Sequence, residues 1–154
     1  MKISRSILSI AIFVFVVGSS YSQNKVATNA EDVALNGYDV VAYFKQHQAV
    51  RGNNANAVKK DGATYYFSSA ENASAFKSNP KMFQPVYGGY CAFAMAMKGA
   101  KVPADPNTFK LRDGKLYLFF NDYYEGKPFN TIVPWNSNEK EMIAKADQNW
   151  KGQK

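Results

Sequence analysis

Phe109-Lys110-Leu111-Arg112-Asp113-Gly114-Lys115-Leu116-Tyr117-Leu118-Phe119-Phe120 is the stretch that decides the fold class. Apolar and charged residues alternate on both sides of an Asp-Gly pair, which supplies the positive φ angles of a tight hairpin turn. Phe109 and Leu111 are expected to meet Leu116, Leu118 and Phe120 across the pair, with Lys110, Arg112 and Lys115 toward water. A second pair, Asp61-Gly62, precedes Ala63, Tyr65 and Phe67 on one face and Thr64 and Tyr66 on the other. Between the hairpins stand helix signals. Ser68-Ser69-Ala70-Glu71 has capping-box spacing, with the Ser68 hydroxyl expected to accept from the Glu71 amide, and predicts a helix over 69–78 that Asn79-Pro80 ends. Asn136 and Glu139 repeat that spacing ahead of Met142, Ile143, Ala146 and Trp150, which share one face of a C-terminal helix. The run Gly88-Gly89-Tyr90-Cys91-Ala92-Phe93-Ala94-Met95-Ala96-Met97 reads as a tight approach into a further helix. Hairpins interspersed with helices, without a βαβ pattern, specify an α+β domain: a small antiparallel sheet built from hairpins, packed with several short helices and the C-terminal helix. No repeat at a fixed period is visible.

The N-terminus reads as an address. Lys2 and Arg5 precede an apolar run over 7–17 and then Gly18, Ser19, Ser20, Tyr21 and Ser22, the order of a secretory signal, with cutting expected after Ser22. An uncleaved anchor is the alternative reading of the same run. The expected organisation is therefore a signal peptide (1–22), a flexible polar leader (23–31) and one domain (32–152), exported to a periplasm or secreted. No stable membrane insertion is expected after cleavage.

Composition removes many chemistries. The chain has 154 residues, 46% of them hydrophobic and 15% aromatic, enough for one ordinary core. A single cysteine excludes an internal disulfide framework, a zinc ribbon and a cysteine-ligated iron–sulfur cluster, and a single histidine excludes multi-histidine metal sites. The formal charge of +7 is carried by scattered Lys and Arg, a dispersed solubilising surface and not a nucleic-acid footprint. No nucleophile elbow, zincin helix, P-loop or dinucleotide fingerprint occurs, so a non-enzymatic protein is expected.

Several motifs stand in a fixed order: Leu35-Asn36-Gly37-Tyr38-Asp39, Tyr65-Tyr66-Phe67-Ser68-Ser69-Ala70-Glu71-Asn72, Tyr87-Gly88-Gly89-Tyr90-Cys91, Val102-Pro103-Ala104-Asp105-Pro106 and Asp147-Gln148-Asn149-Trp150. Together they resemble the exported proteins built around a YHS domain. That group is similar to the TRASH-type modules of heavy-metal trafficking and sensing, in which cysteines after the Tyr-Phe strand and on the next helix hold a metal. The resemblance implies a YHS-like domain and a link to soft metals. This chain carries Ser68 and Asn72 at the two thiol positions, and neither is a good soft-metal ligand.

The candidate site residues centre on one thiol. Cys91 is expected in the first turn of a helix, where amide N–H groups and the dipole favour a thiolate; buried among Tyr90, Ala92 and Phe93 it would instead be a small hydrophobe. Cys91 and Met95, at i and i+4, would set a thiol and a thioether on one face for a soft ion such as copper, with His47 or Met82 completing the site and Met97 off that face. His47 lies in a polar stretch and would also be the base of a Cys–His pair. Asp39 reads as a helix cap, or else as a member, with Tyr38 and Tyr90, of a ligand-binding cleft near Cys91. The functional expectation is an exported binding protein handling a soft metal ion or small ligand through Cys91. The alternatives are a thiol-dependent enzyme or redox protein using Cys91, and an interaction module whose Tyr-rich surface meets an envelope protein.

Overall fold

The computed structural model describes residues 25–153, so the expected signal peptide lies outside the described residues. The fold is α+β, as the alternation of hairpins and helices requires. Helix α1 (Val40–Gln46) leads into β1 (Asn53–Lys60) and β2 (Ala63–Phe67), then α2 (Ala70–Ser78) and the short α3 (Pro80–Phe83). Helix α4 (Ala92–Lys98) leads into β3 (Asp105–Arg112) and β4 (Lys115–Phe119). A third hairpin, β5 (Asn121–Tyr124) and β6 (Lys127–Asn130), precedes α5 (Ile132–Ser137) and α6 (Glu139–Lys151). The strands form three separate antiparallel pairs, β1–β2, β3–β4 and β5–β6.

Both Asp-Gly turns form as expected, with Asp61 and Asp113 in the left-handed region and Gly62 and Gly114 beside them. In the second hairpin Phe109 opposes Leu118 and Leu111 opposes Leu116. The expected one-faced alternation does not hold on β4: Leu116, Tyr117, Leu118 and Phe119 are all buried, on both faces, and Phe120 lies past the end of the pairing. Leu116 and Leu118 enter one hydrophobic cluster with Val40, Val41, Tyr43, Tyr65, Phe67 and Phe76. Tyr117 and Phe119 enter a second with Met95, Trp135 and Ala146, against which Met142, Ile143 and Trp150 of α6 pack. This strand is the partition between two cores, and each of its four buried side chains contributes about 1.5–3 kcal/mol.

A repeat divides the molecule. Residues 35–68 and 87–120 build the same unit at an interval of 52 positions: a left-handed turn, a short helix, and a hairpin of eight and five residues closed by Asp-Gly. Leu35, Asn36 and Gly37 have positive φ, as do Tyr87, Gly88 and Gly89. The bridge Tyr38–Arg51 is matched by Tyr90–Pro103. The Asp39 amide donates to the Val50 carbonyl at 2.8 Å, and the Cys91 amide to the Val102 carbonyl at 2.8 Å. Both hairpins carry a register irregularity at the same place, after Asn53 and after Asp105. The expectation of no repeat is thus corrected. Identities between the units are scattered, at Gly37 and Gly89, Tyr38 and Tyr90, Ala42 and Ala94, Val50 and Val102, Asp61-Gly62 and Asp113-Gly114, Tyr65 and Tyr117, and Phe67 and Phe119, with no run longer than two residues. The repeated element is backbone geometry, which turn residues and alternating apolar positions specify without long identity.

Three local expectations are also adjusted. Ser69, not Ser68, caps α2 by accepting from the Asn72 amide at 3.1 Å. Asn136 belongs to α5, and α6 begins after Asn138. The described part of the expected leader is tied down: Val26 is buried and the Ala27 amide donates to the Gly88 carbonyl at 2.8 Å. Gly88 is required there, since a Cβ would stand 1.9 Å from the Lys25 carbonyl oxygen.

Candidate functional site

The repeat places Asp39 and Cys91 at one structural position, the N-cap of the helix that opens each unit. At the first centre the Asp39 carboxylate is fully buried and fully used. Oδ1 accepts from the amides of Val41 (2.9 Å) and Ala42 (3.2 Å). Oδ2 accepts from the Ser68 amide (2.9 Å), the Ser68 hydroxyl (2.7 Å) and the Asn72 side-chain amide (2.8 Å). Ser68 and Asn72 therefore converge on a carboxylate. Five donors satisfy this buried acceptor and fasten α1 to the end of β2 and to α2, a structural arrangement with no acceptor capacity left for a ligand.

The second centre repeats the first with sulfur. Cys91 is fully buried, and its Sγ accepts from the Ala94 amide at 3.5 Å and the Phe120 amide at 3.2 Å, the counterparts of the Ala42 and Ser68 donors. Thr131 is the third neighbour, its Oγ1 at 3.4 Å from the sulfur. Because the Thr131 hydroxyl donates to the Phe120 carbonyl at 2.8 Å, the thiol proton goes to Oγ1. Sulfur is a weak acceptor, so this centre is held less tightly than the first.

The segments after the two units also differ. After the first comes α2, which closes over Asp39. After the second comes the β5–β6 hairpin, because Gly126, Pro128 and the β-forming Tyr123, Tyr124 and Phe129 oppose a helix. Its strands are exposed nearly throughout. Phe129 returns to the body, with its ring centroid 6.1 Å from that of Phe93. Between hairpin and α4 lies an apolar groove of about 160 Å³, lined by Cys91, Phe93, Met97, Val102, Tyr124 and Phe129. Tyr123 is 70% exposed, Tyr124 50% and Met97 52%, which continues the apolar surface past the groove.

The expected site residues are not gathered as their sequence pattern grouped them. Cys91 caps α4 instead of lying in its first turn, so its sulfur turns back on Ala94 and Phe120. Met95 is buried in the second core, its sulfur 3.5 Å from the Gln153 amide. His47 is the exposed left-handed residue ending α1, whose helix packs in the other core. Tyr38 lies under the Arg51 guanidinium at 4.5 Å. Tyr90 lines a different small cleft with Leu35, Asn36 and Pro103. Among the described residues no group of three His, Cys, Asp or Glu is placed to hold a metal ion. Phe93, Met97, Phe120, Tyr124, Phe129 and Thr131 do surround Cys91, and the sequence pattern did not single them out as a site. The aromatic cluster about Glu125-Gly126 was their available signal, a third turn with both residues at positive φ.

Compared with known family models, curated proteins and solved structures, the chain has no match.

Proposed function

We propose that this chain is an exported, non-enzymatic binding protein of the YHS type, in which one half-unit is a structural lock and the other carries the ligand groove. The observation that carries this reading is the contrast between equivalent centres. Asp39 is closed by five donors and a helix, whereas Cys91 lies against a groove walled by Phe93, Met97 and Phe129. Such a groove takes an apolar group, an aromatic or aliphatic moiety of a small ligand or of a partner, through area burial and ring contacts. The sulfur's hydrogen-bonding neighbours among the described residues are two amides and a hydroxyl, with no base to activate it as a nucleophile, which favours binding over thiol catalysis.

A second reading rests on one further observation: Cys91 and Met97 are both lining residues of this groove, and a thiol and a thioether are donors of the type a copper(I)-like ion takes. Fluorescence titration with the apolar dye N-phenyl-1-naphthylamine and copper(I) titration against a competing chelator separate the two. One-to-one dye binding that Met97→Arg abolishes supports the apolar groove. Copper(I) binding that both Cys91→Ala and Met97→Leu weaken supports the soft-ion reading. If neither probe binds, or if binding is indifferent to these substitutions, the groove is not the site.

A further inference from the structure

A larger cavity lies elsewhere, at the seam between the first hairpin turn, the segment 84–88 and α6. It measures about 760 Å³, within the size range of small-molecule sites, and shares no lining residue with the Cys91 groove. Its walls combine polar groups from three elements with the indole of Trp150. Gln84 donates through its side-chain nitrogen to Asp61 at 3.0 Å and to the Tyr65 oxygen at 3.4 Å. That bond to a carboxylate fixes the amide with nitrogen inward, so Tyr65 is an acceptor from Gln84 and keeps its own O–H. Tyr65 is 1% exposed, and its phenolic proton has no acceptor among the described residues. Burial pushes the Tyr65 phenol up, so it stays a donor. Across the cavity Tyr87 donates to Asp147 at 3.0 Å, which orients that carboxylate and leaves acceptor capacity. Tyr87 has φ +53, a strained conformation for an aromatic residue, at the cavity wall.

The charges decide what kind of ligand fits. Asp61 is paired with Lys60 at 3.0 Å and also lies in the field of Lys25, and Lys25, Asp61 and Asp147 all line the cavity. A ligand of either net charge therefore meets opposing fields, whereas an uncharged ligand with several hydroxyls can take the Tyr65 proton, donate to Asp147 and lay its C–H face on the indole. We propose that this seam cavity binds a neutral polyhydroxylated ligand, a mono- or disaccharide or similar polyol, with Tyr65 as donor, Asp147 as acceptor and Trp150 as the apolar wall.

The test is a titration of the protein purified after export with glucose, N-acetylglucosamine, sucrose and trehalose, with choline and spermidine as cationic comparators. Indole emission and ¹H–¹⁵N shifts are followed to about 50 mM, a range that reaches millimolar Kd. The expected result is a saturable response to at least one sugar, with shifts at Gln84, Gly88 and the Trp150 indole N–H. Affinity should fall about tenfold or more in Asp147→Asn, one charge-assisted bond's worth, and about fivefold in Tyr65→Phe, the worth of a neutral bond. Phe93 and Met97 signals should not move, which separates this site from the Cys91 groove. No response to any sugar, a response to the cationic ligands only, or unchanged affinity in both variants with native spectra would overturn the proposal.

Discussion

Removing the Asp39 carboxylate should cost far more than removing its counterpart sulfur. In Asp39→Ala, α1 loses its cap, worth about 1 kcal/mol. The Ser68 amide and the Asn72 side-chain amide lose the acceptor at 2.9 and 2.8 Å, and each donor left unpartnered in the interior costs about 1–3 kcal/mol. The sum is about 4 kcal/mol, a large part of the 5–15 kcal/mol typical of a domain. With a urea slope of about 1.5 kcal/mol/M, the unfolding midpoint should drop by roughly 2.5 M. Cys91→Ala removes weak sulfur bonds and a small buried group, so its drop should be about 1 M or less. Asp39→Asn should fall between, since one oxygen becomes a donor facing other donors. The measurement is equilibrium urea unfolding of the three variants followed by tryptophan emission and by circular dichroism. An Asp39→Ala midpoint within about 0.5 M of wild type, or equal drops for Asp39→Ala and Cys91→Ala, would refute the contrast between the two centres.

Gly88→Ala should destabilise by about 3 kcal/mol or more, because the new Cβ meets backbone at Lys25 and the residue needs φ +65; hydrogen exchange should show the Ala27 amide, now bonded to Gly88, losing protection. Tyr43 is buried, and burial first, then the charges of Tyr38, Asp105 and Asp39, hold its phenol protonated well above the ordinary range. The unfolded chain ionises this tyrosine near pH 10, so the unfolded state binds fewer protons and stability falls as pH rises past about 10, by about 1.4 kcal/mol per unit. Tyr43→Phe loses the 2.8 Å bond to the Pro106 carbonyl and should be about 1 kcal/mol weaker at pH 7. That deficit should close near pH 11, as urea midpoints at the two pH values would show, and a constant deficit would contradict the assignment.

The sequence was most legible where local chemistry and core pattern agree. The Asp-Gly turns, the pairing of Phe109 and Leu111 with Leu118 and Leu116 and the apolar face of α6 each have a mechanism confined to a few residues, and all appear as expected; the outer face of β4 does not, because Tyr117 and Phe119 are covered by helices from distant parts of the chain. Legibility ended where partners come from distant chain positions. Asp39 was readable as a cap, but its bonds to Ser68 and Asn72 span 29 and 33 positions. Cys91 was readable as lying near a helix start, yet one residue decides the outcome. As a cap its sulfur faces β4 and Thr131; inside the helix it would have stacked on Met95. The repeat is faint in the sequence because the two units share turn geometry but few side chains, and because a helix succeeds one unit and a hairpin the other.

The rate at which iodoacetamide alkylates Cys91, with the groove empty and then saturated with N-phenyl-1-naphthylamine, tests the assignment of the groove most directly. Labelling of this fully buried thiol requires the groove wall to open, so the dye should slow it about tenfold or more by holding that wall in place, and Phe129→Ala should speed it while weakening the protection. An unchanged rate under saturating dye would mean that the occupant sits somewhere other than over the sulfur.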